Sequence, residues 1–152
     1  MSITNGLTFL AGVGQDSEQT SDVGSMRPAD SDTVEQLRRP EVLLAQGTRR
    51  VTKLVLFPVR FLFTAKTGLV GTNEAAAEHY LADGQVPSTD LVAAAVTWRS
   101  AAPDDAEAEA LLRGGMIPLY VHYIDDHIAR LNDLGRSGLV GAFAEWRRRI
   151  VA

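Results

Sequence analysis

The chain has 152 residues, of which 45% are apolar and 22% charged, proportions typical of one ordinary globular domain. It contains no cysteine, which excludes disulfides, thiolate zinc sites and cysteine nucleophiles. The formal net charge of −4 is uneven, because residues 1–36 hold six acids against one base and residues 37–152 sum to +1. The near-neutral remainder does not indicate a nucleic-acid partner, and we expect none.

The hydropathy pattern contains nothing long enough to span a membrane. The longest strongly apolar stretch, residues 54–63, is interrupted by Arg60 and covers about ten residues, whereas a transmembrane helix needs about twenty. The first residues lack a basic segment followed by an apolar one, so no secretory signal is visible. We therefore expect a soluble, cytoplasmic protein without a membrane partner.

Helix start and stop signals divide the chain. Residues 1–30 are rich in Gly, Ser, Asp, Thr and Gln without a helical or strand period, which predicts a disordered leader. Residues 31–152 are predicted to form one helical domain, and no segment shows a convincing strand period. We predict an all-α bundle of about six to seven helices. The predicted helical segments are about 32–39, 40–47, 49–66, 73–82, 89–101, 103–113, 116–134 and 138–151.

The segment 49–66 is the longest apolar element and is expected to be a core helix. Thr48 is predicted to cap it and Gly68 to end it. Pro58 lies inside and removes one backbone donor, so it should bend the helix and leave the carbonyl of Leu54 without its usual partner. Later in the chain, the pair at 114–115, Gly-Gly, is predicted to end one helix before the next begins.

Three cations follow one face of the 49–66 helix. At 100° per residue, Arg49, Lys53 and Arg60 fall within about 60° of one another, together with two threonines. Such a stripe can bind phosphates, which makes Arg49 and Lys53 a candidate anion-binding face, or it can pair with acids on neighbouring helices. Arg60 is the single charge in its apolar run, so we predict that it is at least partly buried and paired with an acid or with backbone carbonyls.

The segment 120–127, Tyr-Val-His-Tyr-Ile-Asp-Asp-His, is the richest polar cluster. Its spacing places Tyr120, Tyr123 and His127 in one line with Arg130, beside a predicted apolar stripe. His122 and Asp126 are i, i+4 neighbours, but one His–carboxylate pair supplies only two ligands, so no metal site is predicted. The sequence also lacks the motifs of a nucleophilic triad or a dinucleotide fingerprint, and no catalytic residue is assigned. The predicted stripe consists of Ile117, Val121, Ile124, Ile128 and Leu131.

Three features share their order and spacing with a known family. The first is the apolar helix with Arg60, continued as Phe-Thr-Ala-Lys-Thr-Gly at 63–68. The second is the Ala-rich helix from Asn73 to Leu81, and the third is Tyr-Val-His-Tyr at 120–123, where the family has Phe-Val-His-Tyr. From about 51 to 131 the chain thus resembles the C-terminal helical domain of the aminoglycoside adenylyltransferases that modify streptomycin and spectinomycin.

The resemblance implies a function in adenylyl transfer. In that family a preceding α/β domain holds Mg²⁺ and ATP through Gly-Ser and Asp-x-Asp motifs, and the helical domain contacts nucleotide and drug. By resemblance, the nucleotide-binding candidates are Lys66 and Tyr123, followed by Arg60 and His127. Gly24-Ser25 and the acids Asp30 and Asp32 resemble those motifs, but the interval between them is short and polar and contains Pro28, so we interpret this likeness as chance. We therefore expect no cofactor in this chain, Mg²⁺ and ATP only in a complete enzyme, and no activity without a separate nucleotidyltransferase catalytic domain as partner.

The charge of the 49–66 helix departs from the family pattern. Drug-modifying members present acids near its start, whereas this chain has Arg49, Arg50 and Lys53. Like charges oppose a polycationic aminoglycoside, so a phosphate-bearing or otherwise anionic small molecule is the expected ligand. Two alternatives remain open: a stand-alone helical module that binds a nucleotide, RNA or a protein, as in toxin–antitoxin pairs, and a purely structural or dimerising bundle.

Overall fold

The computed structural model describes residues 31–152, and the predicted leader at 1–30 lies outside the described residues. The described part is an all-α bundle of seven helices without a strand, as predicted. Six of the helices begin and end within about three residues of the predicted bounds, because caps and glycines mark most of their ends. The helices are α1 (Ser31–Arg38), α2 (Pro40–Leu44), α3 (Thr48–Thr67), α4 (Asn73–Leu81), α5 (Thr89–Trp98), α6 (Asp105–Asp133) and α7 (Ser137–Val151).

The helix ends show the local causes of these bounds. The Thr72 side chain accepts a hydrogen bond from the Ala75 amide at 3.0 Å and starts α4. Gly68 ends α3 in the left-handed conformation, with φ 77°, and its amide donates to the Thr64 carbonyl. The prediction that Thr48 caps α3 was wrong, because Gly47 precedes the helix and no side chain caps it.

The core lies around α3, which packs against α2, α4, α5 and α6. Eleven of its twenty residues are buried, which is why its sequence reads as one apolar run. The buried face of α5 includes Leu91, Ala95 and Trp98, which lie in the core. On α7, Trp146 and Ile150 are buried, whereas Leu139 and Phe143 are half-buried.

The predicted helix break at residues 114–115 was wrong, since α6 continues through both glycines and through Pro118. Gly115 lies where α6 crosses α5, and a Cβ atom there would stand 3.0 Å from Leu91 Cδ2. The Ser88 hydroxyl donates to the Gly115 carbonyl oxygen at 2.7 Å. The glycine therefore permits two helices to approach closely rather than ending one of them.

The buried face of α6 is displaced by about one residue from the predicted stripe. Ile124 and Leu131 are buried as expected, but Ile117, Val121 and Ile128 are only half-buried. The centre of the face is instead formed by polar aromatic residues, because α3 packs on one side of it and α7 covers the other. These residues are Tyr120, Tyr123 and His127.

Candidate ligand-contacting site

A polar cluster lies where the C-terminal end of α3 meets α4 and α6. We define it as Lys66, Asp83, His122, Asp126 and Arg130. Lys66 Nζ lies 3.7 Å from Asp83 Oδ2, and each side chain is about one-third exposed. The cluster combines two cations, two carboxylates and an imidazole, so its formal charge is balanced and its members can exchange partners with a ligand.

Arg130 is the most firmly held member of the cluster. Its Nε donates to Asp126 Oδ2 at 2.8 Å and its Nη2 donates to Oδ1 at 3.4 Å, a two-pronged pair on adjacent turns of α6. Its Nη1 donates to the carbonyl oxygen of Ala65 at 3.4 Å. The last carbonyls of a helix carry partial negative charge, so the guanidinium joins α6 to the end of α3.

His122 lies beside this pair and contributes a neutral imidazole. Its pKa is lowered because burial disfavours the charged ring, and the carboxylate of Asp126 opposes that shift while Lys66 adds to it. The Nε2 atom of His122 is buried and has no hydrogen-bond partner. Among the described residues, no group of three or more His, Asp or Glu side chains is placed to hold a metal ion.

Tyr123, a candidate nucleotide contact by resemblance, is enclosed in the core. Its side chain is 0% exposed, and burial raises its pKa well above the ordinary value. The ring packs in edge-to-face contacts on Phe57, Phe143 and Trp146, with centroids 5.9 Å away in each case. A ligand cannot reach it in this conformation.

His127 is enclosed beside Tyr123, with 1% of its surface exposed. Its Nδ1 lies 3.2 Å from the Tyr123 carbonyl oxygen and 3.6 Å from Asp126 Oδ2. Burial lowers the pKa of His127 to about 4, against the opposing influence of Asp126. The ring is therefore neutral at pH 7 and cannot serve as a cationic phosphate ligand in the closed structure.

Arg60 is partly buried, as predicted. The predicted acid or carbonyl partner is not found within residues 31–152, where no hydrogen bond or ion pair of its guanidinium is present. Arg60 also points away from Lys66, because six residues along a helix correspond to a rotation of about 120°. The two cations therefore do not converge on one phosphate group.

The start of α3 carries the candidate anion-binding face. Arg49 is exposed and Lys53 is half-buried, so both lie on the outer side of α3. Arg50 is engaged with α1, because its Nε donates to Gln36 Oε1 at 3.0 Å and its Nη2 lies 3.5 Å from Thr33 Oγ1. From Arg49 to Lys66 the helix rises roughly 25 Å, so this face and the polar cluster are separate sites.

The structure thus brings Lys66 close to His122 and Asp126, and places His127 next to Asp126 inside the core. The sequence reasoning missed Asp83, which follows the end of α4 without any motif and meets Lys66 through tertiary packing alone. It named Arg130 only as part of a line along α6, although the charge order Asp126-x-x-x-Arg130 is a known stabilising helix pair.

Two further surface features lie outside the cluster. Residues Leu69 and Val70 in the loop after α3 are 62% and 76% exposed, although both are apolar. A shallow depression of about 480 Å³ lies on the N-terminal half of α6, more than two helical turns from His122. In the described part of the chain, no helix is both long and apolar enough to cross a membrane. The depression is lined by Ala106, Glu109, Ala110, Arg113 and Gly114.

Comparisons of this chain with protein-family models, with curated proteins and with solved structures found no match.

Proposed function

We propose that residues 31–152 are the ligand-contacting helical half of an adenylyltransferase-like nucleotidyltransferase, and that catalysis needs a separate domain with Gly-Ser and Asp-x-Asp motifs. The observation that carries the proposal is the state of Lys66. It lies in the last turn of α3 and is a nucleotide-contact candidate by resemblance, and a single partly exposed ion pair of 3.7 Å holds it. Such pairs contribute only about 0–1 kcal/mol, so a phosphate can displace Asp83 at little cost.

The surroundings of Lys66 suit an anionic ligand. Arg130 is neutralised by its two-pronged pair with Asp126, which leaves Lys66 as the member of the cluster with an exchangeable partner. His122 offers a neutral ring rather than a competing charge. A nucleotide phosphate at Lys66 is therefore opposed by one carboxylate, Asp83, which is one-third exposed and screened by solvent.

The exposed Arg49 supports the same class of ligand. An aminoglycoside is a polycation, and its approach to the start of α3 would bring like charges together. We therefore propose a phosphate-bearing or otherwise anionic acceptor rather than an aminoglycoside as the second substrate. The acceptor can be identified by assaying a panel of anionic compounds with the reconstituted enzyme.

Nucleotide binding is tested by titrating the chain with ATP in a calorimeter. A half-site without a catalytic domain should bind with a dissociation constant of about 1 mM, near −4 kcal/mol. Lys66→Ala should weaken binding severalfold, and Lys66→Arg should retain most of it. The matched control is Arg113→Ala, which removes an exposed cation paired with Glu109 on the other half of α6. Equal binding by Lys66→Ala and Arg113→Ala would contradict the proposal.

A second candidate function is a stand-alone helical module that binds a protein. The exposed Leu69 and Val70 favour it, because apolar side chains in a loop are a common anchor for a protein partner. The two candidate functions are distinguished by measuring ATP binding and protein capture in two variants. Lys66→Ala weakens nucleotide binding, whereas the uncharged Leu69→Asn weakens capture of a protein partner and leaves ATP binding unchanged.

A further inference from the structure

The helix α7 covers the two aromatic residues that the resemblance assigns to nucleotide contact. Phe143 and Trp146 on α7 pack on the ring of Tyr123, and the ring of Phe143 also lies 6.0 Å from that of His127. In the described residues α7 packs on α6 and also contacts α1, at the periphery of the bundle. Removing α7 from its place would expose both rings.

One hydrogen-bond donor in the interface beneath α7 has no partner. The indole Nε1–H of Trp146 is buried and has no hydrogen-bond acceptor, although only 4% of this side chain is exposed. An unpaired donor opposes burial, because it forgoes the hydrogen bond that water would provide. Closing α7 over α6 therefore carries an unfavourable contribution that opening removes.

The N-terminal end of α7 is joined to α6 through backbone hydrogen bonds, among them the Arg136 amide donating to the Leu131 carbonyl oxygen at 2.9 Å. Gly135 precedes α7 with φ 71°, and no side chain caps its first turn. Gly138 and Gly141 lie within the helix, and a Cβ atom at either would meet nothing within 4 Å, so close packing does not require them. Both lower helix propensity without a packing gain. The left-handed Gly135 and the missing side-chain cap favour a hinge at the start of α7.

Exposed polar contacts also hold the other end of α7, where Arg38 Nη2 on α1 donates to the Ala152 carbonyl oxygen at 2.5 Å. Arg147 Nε donates to Asp125 Oδ1 at 2.8 Å, and both side chains are largely exposed. Exposed ion pairs contribute little to stability and are screened by salt. Closure therefore depends mainly on the apolar contacts of Phe143, Trp146 and Ile150.

We propose that α7 is a hinged cover that turns about Gly135 and admits the flat base of a nucleotide to the rings of Tyr123 and His127. Aromatic side chains stack on nucleobases through their faces, and a neutral imidazole does so without bringing a charge. Asp126 contacts both His127 and Arg130, so the opened rings adjoin the polar cluster that contains Lys66. The motion stands on the packing of α7 alone, whereas its use in nucleotide binding rests on the proposed function.

The absence of cysteine in the chain permits a direct test of opening. His127→Cys places a thiol beneath α7, and Val92→Cys places one at a buried position of α5 that α7 does not cover. With a small disulfide reagent at pH 8 and no ligand, we expect the thiol at 127 to react at least tenfold faster than the thiol at 92. Trp146→Phe, which removes the unpaired donor, should slow the reaction of the thiol at 127 severalfold and leave the reaction rate of the thiol at 92 unchanged. Equal reaction rates of the thiols at 127 and 92 would overturn the proposal that α7 is a hinged cover.

Amide exchange of the unsubstituted chain provides a second measurement that does not depend on either cysteine variant. The amides of α7 should exchange together and at least tenfold faster than those of α5, and saturating ATP should increase their exchange further. Protection of α7 equal to that of α5 would overturn the cover. If ATP binds calorimetrically through Lys66 but leaves α7 exchange unchanged, the nucleotide part of this inference fails and the proposed function stands.

Discussion

The hydroxyl of Tyr120 on α6 donates a 2.6 Å hydrogen bond to the carbonyl oxygen of Leu54 on α3. In an uninterrupted helix that oxygen would accept from the amide of residue 58, which is proline here. Both residues are fully buried, so no solvent can take the place of the missing donor. A side chain 66 positions later in the chain therefore completes the hydrogen bonding of the central helix.

The first prediction concerns this bond. Tyr120→Phe leaves the buried Leu54 carbonyl unsatisfied and should lower the free energy of unfolding by about 1–3 kcal/mol. Urea denaturation measures the change, with Tyr123→Phe as the control, since no hydrogen bond of the Tyr123 hydroxyl is present within residues 31–152. Pro58→Ala restores an amide donor for the Leu54 carbonyl. It should therefore lower the free energy of unfolding less in the Tyr120→Phe background than in the wild type. Additive effects of the two substitutions would contradict this explanation.

The second prediction uses the adjacent glycines of α6. Alanine at 114 meets nothing within 4 Å and should stabilise the helix by up to about 1 kcal/mol. Alanine at 115 places its Cβ atom 3.0 Å from Leu91 Cδ2 and 3.3 Å from Leu91 Cβ in a packed core. We expect Gly115→Ala to be about 1–3 kcal/mol less stable than Gly114→Ala in thermal or urea unfolding. Equal stability of the two variants would show that α5 and α6 do not approach closely.

The third prediction is a dependence of stability on pH that arises from His127. Burial lowers its pKa to about 4 in the folded state, against about 6.5 in the unfolded chain. The unfolded state therefore binds more protons between these values, so stability falls as the pH drops from about 6.5 towards 4. The full loss is on the order of 3 kcal/mol, because one pKa unit corresponds to about 1.4 kcal/mol.

Urea denaturation at pH values from 7 to 5 tests this dependence, since ordinary carboxylates with pKa values of about 4 remain mostly ionised over that range. His127→Gln should have a smaller slope than the wild type, although part of the slope remains because burial lowers the pKa of His122 as well. Identical slopes for wild type and His127→Gln would argue against a buried neutral ring at position 127.

The fourth prediction is that the 152-residue chain alone transfers no adenylyl group. In-line displacement at a phosphate needs a metal ion to neutralise developing charge and a base to accept the hydroxyl proton. The adjacent carboxylates Asp104–Asp105 and Asp125–Asp126 diverge by about 100° where they are helical, so neither pair chelates one ion. Asp104 instead caps α6 by accepting from the Glu107 amide, and Asp125 pairs with Arg147.

Pyrophosphate release with ATP, Mg²⁺ and a panel of aminoglycosides and anionic acceptors measures this activity. We expect release at the background rate for the chain alone, and release above it only after addition of a domain that carries Gly-Ser and Asp-x-Asp motifs. Release by the chain alone that is lost in Asp125→Asn or Asp126→Asn would show that the helical domain is itself catalytic.

Local sequence signals determined which segments are helical and where most of them end. Thr72, Asp104 and Gly68 act through hydrogen bonds or backbone conformations within a few residues of their own positions, so their effects can be read from neighbouring letters. Pro58 is of the same kind, because the loss of its amide donor is a property of the residue itself. The need of the Leu54 carbonyl for another donor therefore followed from the sequence.

Tertiary packing decided which residue met each such need and which face of each helix became the core. Gly115 has the propensity of a helix end, but the contact with Leu91 and Ser88 outweighs it and α6 continues. Likewise, the polar side chains of Tyr120, Tyr123 and His127 suggest a surface, yet α3 and α7 enclose them. The pairing of Lys66 with Asp83 joins the last turn of α3 to the loop after α4. Contacts of this kind depend on distances in space that helical periodicity does not encode, because periodicity describes one helix at a time.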